Sequence, residues 1–150
     1  MRSLSAAVVL GLCLVAVLAC SKTRTAPVGR WEGTYETNDA VVAARLEITP
    51  KGDIFLSAPD MINPGNLPSD QRQALHQRIA DELAEDWGEA QPRRFDFDGR
   101  QFRKPGGVAP QMEWNPDTRQ MTVIVYPGMH PTIRIPMREV KDFSDDPWPN

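Results

Sequence analysis

The stretch GRWEGTYETNDAVVAARLEITPKGDIFLSA, Gly29–Ala58, decides the fold. In its first part Trp31, Gly33 and Tyr35 share one face, while Glu32, Thr34 and Glu36 share the other. That is the period of two imposed by a strand with one face buried. A turn at Thr37–Ala40 follows, and the alternation resumes with Ala44, Leu46 and Ile48 on one side and Arg45 and Glu47 opposite. In Pro50-Lys51-Gly52-Asp53, Pro50 presets one dihedral and Gly52 accepts positive φ, which makes a tight turn. IFLSA then returns as the third of three antiparallel strands.

Beyond a breaker-rich loop, Pro59–Pro68, the period changes. Leu75, Ile79, Leu83 and Trp87 recur every four residues in SDQRQALHQRIADELAEDWG, so a helix is predicted over 69–87 with one apolar stripe that needs a sheet to cover. Ser69 or Asp70 is expected to cap its start, and Gly88 to take the left-handed position after its end. Asp81, Glu82, Glu85 and Asp86 crowd the end of this helix and oppose its dipole by a few tenths of a kcal/mol each. Arg93 and Arg94 follow closely and could compensate. A solvated acidic face is the simpler reading.

After the helix the period returns to two. Phe95 and Phe97 share a face before Asp98-Gly99, where a type I′ hairpin with positive φ at both residues is expected. Pro105–Gly107 breaks the chain, QMEWNPDTRQMTVIVY makes a further hairpin, and TIRIPMREV gives a last strand. The sum is a mainly β fold, an antiparallel meander of about eight strands. It forms a barrel-like or rolled sheet, with one α-helix inserted after the third strand.

The bulk numbers agree with one modest domain: 150 residues, 14 Pro and 10 Gly for frequent turns, and a net charge of −3 that offers no basic surface for nucleic acid. Ala6–Ala19 carries no charge and as a helix would span about 21 Å, short of a bilayer core, so a signal segment is expected. It ends in Val17-Leu18-Ala19-Cys20, which resembles the lipobox of bacterial lipoproteins, with Val17 in place of the usual Leu. That resemblance implies cleavage after Ala19 and lipidation of Cys20, which removes the other cysteine, Cys13, and leaves no disulfide possible. Ser21, rather than Asp, follows Cys20 and by the same resemblance implies the outer membrane, facing the periplasm. The expected organisation is 1–19 signal peptide, 20–27 lipidated tether, 28–141 β-rich domain and 142–150 acidic tail, a loose end from which Trp148 could dock on the domain.

Gly29-Arg30-Trp31 is similar to the Gly-x-Trp opening of lipocalin-like β-domains. The resemblance implies a Trp31 that plugs the base of a barrel, an Arg of the last strand packed over it (Arg134 or Arg138), and a central ligand cavity. The helix after the third strand departs from that family, whose helix lies near the end.

Chemistry is scarce. His76 and His130 are isolated, with no HExxH, CxxC, GxSxG or phosphate-binding loop, so no metal site, no cofactor and no enzymatic activity are expected. The sequence Asp96-Phe97-Asp98-Gly99 resembles a calcium loop only in part, because Arg100 stands where a ligand is needed. Trp31, Tyr35, Phe95, Phe97 and Trp114 are expected to face a common interior, lining a pocket if the barrel is wide and filling it if narrow, with filling favoured. An exposed aromatic sheet face is a third option. The functional expectation is a non-enzymatic envelope binding or accessory module for a protein or an apolar small molecule. A lipocalin-like carrier is the alternative, and a hydrolase is less favoured.

Overall fold

The computed structural model describes residues 25–148; the signal segment, Cys20 and most of the tether lie outside them. Nine elements follow in chain order: β1 Gly29–Glu36, β2 Val41–Ile48, β3 Ile54–Ser57, α1 Ser69–Gly88, β4 Asp96–Phe97, β5 Gln101–Arg103, β6 Pro110–Asn115, β7 Gln120–Val125 and β8 Ile133–Val140. All eight strands join one antiparallel sheet in the order β3-β2-β1-β8-β7-β6-β5-β4. The first strand therefore pairs with the last in the middle of the sheet. The edges are β3 and β4, the strands on either side of the helix. The sheet curls into a half-barrel, and the β3 edge is bridged to the segment leading into β4, where Arg93 N–H donates to the Ile54 carbonyl at 2.7 Å.

Side-chain alternation fills the concave side. On β8, Ile133, Ile135 and Met137 are buried and Arg134, Pro136 and Arg138 exposed. They meet Trp31, Leu46, Phe102, Met112, Met121 and Val123 in one cluster. Gly33 allows β1 to lie close against β8: a Cβ there would stand 2.4 Å from the Pro136 carbonyl oxygen and 2.9 Å from the Met137 sulfur. β2 is buried on both faces. Val42, Ala44, Leu46 and Ile48 join the concave core, while Val41 and Ala43 pack under Leu75, Ile79 and Leu83 of α1. The apolar stripe of the helix thus covers the convex side of β2 and β3, and Trp87 at its end is only half-buried. No helix among the described residues is long and apolar enough to cross a membrane.

Three local expectations differ from the structure. Neither Ser69 nor Asp70 caps α1: Pro68 occupies the N-cap with φ −56°, its carbonyl accepts from Arg72 N–H, and no side chain caps. Proline presets the backbone there, so the helix starts one residue before a Ser69 cap would allow. Gly88 stays helical without positive φ, and Glu89 ends the helix at φ −103°. Asp98-Gly99 is not a type I′ turn. Phe97 pairs with Phe102, so the central residues are Gly99-Arg100. Only Gly99 has positive φ (102°), the signature of type II′.

Residues 142–148 of the expected loose tail are packed on the domain. They form a strap across the convex face beside α1. The Phe143 ring lies edge-on to Trp87 at 4.6 Å, with the guanidinium groups of Arg45 and Arg30 at 5.2 and 5.8 Å from its centroid. Trp148 stacks on His76 at 4.4 Å.

Candidate functional site

The five aromatic residues singled out in sequence all belong to the concave side. Trp31 and Trp114 are buried and meet edge to face at 6.1 Å; Tyr35, Phe95 and Phe97 pack partly buried against the same cluster. Phe97 also stacks on Phe102 at 4.3 Å. Trp31 is filler. Neither arginine that the lipocalin resemblance offered lies over it, because both β8 arginines point to the convex side. Arg138 reaches Glu32, and Arg134 pairs with Glu113.

Phe97 and Trp114 have a second role. With Pro116 they form the apolar part of an open cleft of about 710 Å³ at one end of the half-barrel, where Arg100 and Gln101 supply polar groups and Thr25 marks the entry of the amino-terminal segment. Its walls are the β4–β5 and β6–β7 turns, and each turn is held by one short side chain. The Asp98 carboxylate accepts from Arg100 N–H at 2.9 Å and Gln101 N–H at 2.7 Å, and from Arg103 at 3.2 Å. The Gln101 and Arg100 amides, then Arg103, hold that carboxyl below its usual range. Asn115 Oδ1 accepts from Asp117 and Thr118 N–H. Arg100 reaches Asp117 at 3.5 Å and so links the two turns. An apolar floor with a guanidinium and an amide at its rim suits an amphipathic ligand.

The sequence reading missed a second polar group. Glu32, Arg45 and Ser57 are the buried polar residues among those described, at 1%, 5% and 5% exposure. Strand register aligns them with Arg138 in one row on the convex face: Arg138, Glu32, Arg45, Ser57 across β8, β1, β2 and β3. Glu32 accepts from Arg138 at 2.6 Å and from Ser144 N–H of the strap at 3.0 Å. Arg45 donates to the Ser144 carbonyl at 2.7 Å. Burial lowers the Arg45 pKa, and the charges of Glu32 and Asp145 partly restore it. Alternation had put Glu32 and Arg45 on the outward faces of their strands, which is correct, and the strap with the end of α1 covers those faces. A helix whose stripe must lie on the sheet was the available signal.

Beside this row, Glu36 accepts from Arg72 at 2.6 Å and lies 2.8 Å from His76. His76 is thus a helix-to-sheet contact, and His130 lies exposed in the loop before β8. No group of three potential metal ligands occurs among the described residues. Compared with known proteins, the chain matches no family model, no curated protein and no solved structure.

Proposed function

We propose that the protein is an envelope lipoprotein whose folded domain is a non-enzymatic binding or accessory module, anchored by acylated Cys20 in the outer membrane and facing the periplasm. The observation that carries this reading is the place where the tether enters. Thr25 lines the cleft at the barrel end, and it stands five positions after Cys20. A fully extended chain covers about 3.4 Å per residue, so the tether reaches at most about 17 Å. An acylated Cys20 would then keep the mouth cleft close to the lipid surface and facing it. The concave core is filled by side chains, which favours a ligand or partner gripped at the mouth over one enclosed inside. A lipocalin-like carrier is the second reading. The mouth exceeds the roughly 300 Å³ that a small apolar ligand needs, and its floor is aromatic.

The test has two stages. Cys20→Ala should abolish palmitate incorporation and leave the signal segment uncleaved. Persistent labelling overturns the anchor. For the orientation, the acylated protein is placed in phosphatidylethanolamine–phosphatidylglycerol vesicles with a spin label at Thr118, beside the mouth, or at Asn38, in the turn at the other end of β1. β1 has eight residues, so the two labels should differ in distance from the bilayer by about 25 Å. Equal depths, or a deeper Asn38 label, refute the membrane-facing mouth.

A further inference from the structure

The strap of residues 142–148 joins neither the sheet nor a helix, and contacts with side chains of the domain hold it in place. Phe143 is its first anchor. The ring sits in a three-sided box, edge-on to Trp87 at 4.6 Å, with the Arg45 and Arg30 guanidinium groups at 5.2 and 5.8 Å from its centroid. Two cations against one ring select an aromatic side chain. Ser144 is held through its backbone: its N–H donates to Glu32 at 3.0 Å and its carbonyl accepts from Arg45 at 2.7 Å. Arg30 reaches the Asp142 carboxylate at 3.4 Å. Trp148 is the second anchor, stacked on His76 at 4.4 Å. The strap thus lies on the domain as an extended acidic peptide lies in a groove, with a separate contact for its aromatic ring, its backbone and its charge.

Its hold is of a kind that a competitor can replace. The carboxylates of Asp142, Asp145 and Asp146 are exposed, so their charges contribute little. Beneath Ser144 lie Glu32 and Arg45 rather than apolar side chains, and both regain water when the strap lifts. The fit is also incomplete: Arg45 Nε and Trp148 Nε1 are buried without a hydrogen-bond partner among the described residues. Each unpaired donor weakens the hold of the strap, and lifting it lets water or a new ligand satisfy that donor. We propose that this seat, between α1 and the convex face, is a docking groove for an extended acidic peptide with an aromatic residue, supplied by a partner protein, and that the strap is its competitor in cis. Charge favours that occupant. Residues 142–148 carry three acidic side chains and no basic one, and the box that receives them presents Arg30 and Arg45. The inference is independent of the anchor and of the mouth cleft.

Fluorescence anisotropy on the full chain tests it, with a labelled peptide of residues 141–148, KDFSDDPW, as the probe. Tethered to β8, the strap competes at an effective concentration in the millimolar range, so the wild type should take up the peptide weakly. Phe143→Ala with Trp148→Ala removes both anchors and should raise the affinity for the peptide at least about tenfold. Asp142→Asn with Asp145→Asn loosens the strap through exposed groups alone and should give a smaller gain in the same direction. A folding defect in the first variant therefore cannot hide the result. In the loosened chain, Arg30→Gln should weaken binding about threefold, and a peptide carrying Phe143→Ala should bind about tenfold more weakly. No gain in either loosened chain, or equal binding of a peptide of the same composition in scrambled order, overturns the proposal. A wild-type dimer in sedimentation that the Phe143→Ala, Trp148→Ala chain loses also overturns it, because the seat then serves a second copy.

Discussion

Replacing Glu32 by Gln keeps the size of a fully buried side chain and removes its charge. Two consequences follow. The bond from Arg138 loses its ionic character, which costs little because Arg138 is half-exposed and can turn to water. Arg45 is the larger matter. It is 5% exposed, and the charges of Glu32, which is itself buried, and of Asp145 act on it. Leaving such a charge uncompensated typically costs about 3–5 kcal/mol, and Asp145 and the Ser144 carbonyl bring the expectation to about 3 kcal/mol. With a urea slope of about 2 kcal/mol/M, the unfolding midpoint should fall by about 1.5 M. The second variant isolates the cause. Arg45→Met in the Glu32→Gln background removes the stranded charge, so the double variant should be more stable than Glu32→Gln alone by at least about 1 kcal/mol. Equilibrium urea unfolding of the four proteins is the assay. A Glu32→Gln cost under about 0.5 kcal/mol, or a double variant whose loss equals the sum of the singles, would refute the idea that Glu32 is kept to balance Arg45.

Other outcomes follow from single contacts. Gly33→Ala places a methyl against the Pro136 carbonyl and should destabilise by about 2 kcal/mol or more through forced separation of β1 and β8, read as a lower thermal midpoint. Glu36 gives a pH dependence. Burial pushes its carboxyl up, but the Arg72 hydrogen bond and His76 outweigh this and hold it below its ordinary value of 4.5. The stability it contributes is complete above that ordinary value and is lost as pH falls through the lower folded value. Glu36→Gln should therefore flatten the acid limb of the midpoint-versus-pH curve, and an unchanged limb would count against a stabilising role for the Glu36 contacts with Arg72 and His76.

The strands, the helix and their order were legible because each rests on a period that neighbours enforce. Leu75, Ile79 and Leu83 read as one stripe and form one. Ile133, Ile135 and Met137 alternate on paper and in the core. The failures were at places where a period says nothing about what lies above a face. Glu32 and Arg45 were put on the right faces, but their burial was not legible, since cover from Phe143 and Ser144 comes from about a hundred residues away in sequence. The turn at Gly99 went wrong by one residue because local dihedral preference at Asp98-Gly99 yields to the pairing of Phe97 with Phe102. Of the mouth cleft, the aromatic floor was visible beforehand. Its volume was not, because that depends on how far the two turns stand apart.

The pairing of β1 with β8 sets when folding can finish. Arg30 faces Val140, so the central ladder joins the two ends of the domain. Any chain stopped short of β8 leaves one side of β1 without hydrogen-bond partners and the buried carboxylate of Glu32 without Arg138 or the strap. Such a product cannot close its sheet, and its open backbone edge invites aggregation or proteolysis. Completion waits for the last strand, and loop closure over that span makes a slow, late folding step. Synthesis and quality control are thereby coupled: a truncated chain betrays itself by an edge that only the final strand can cover.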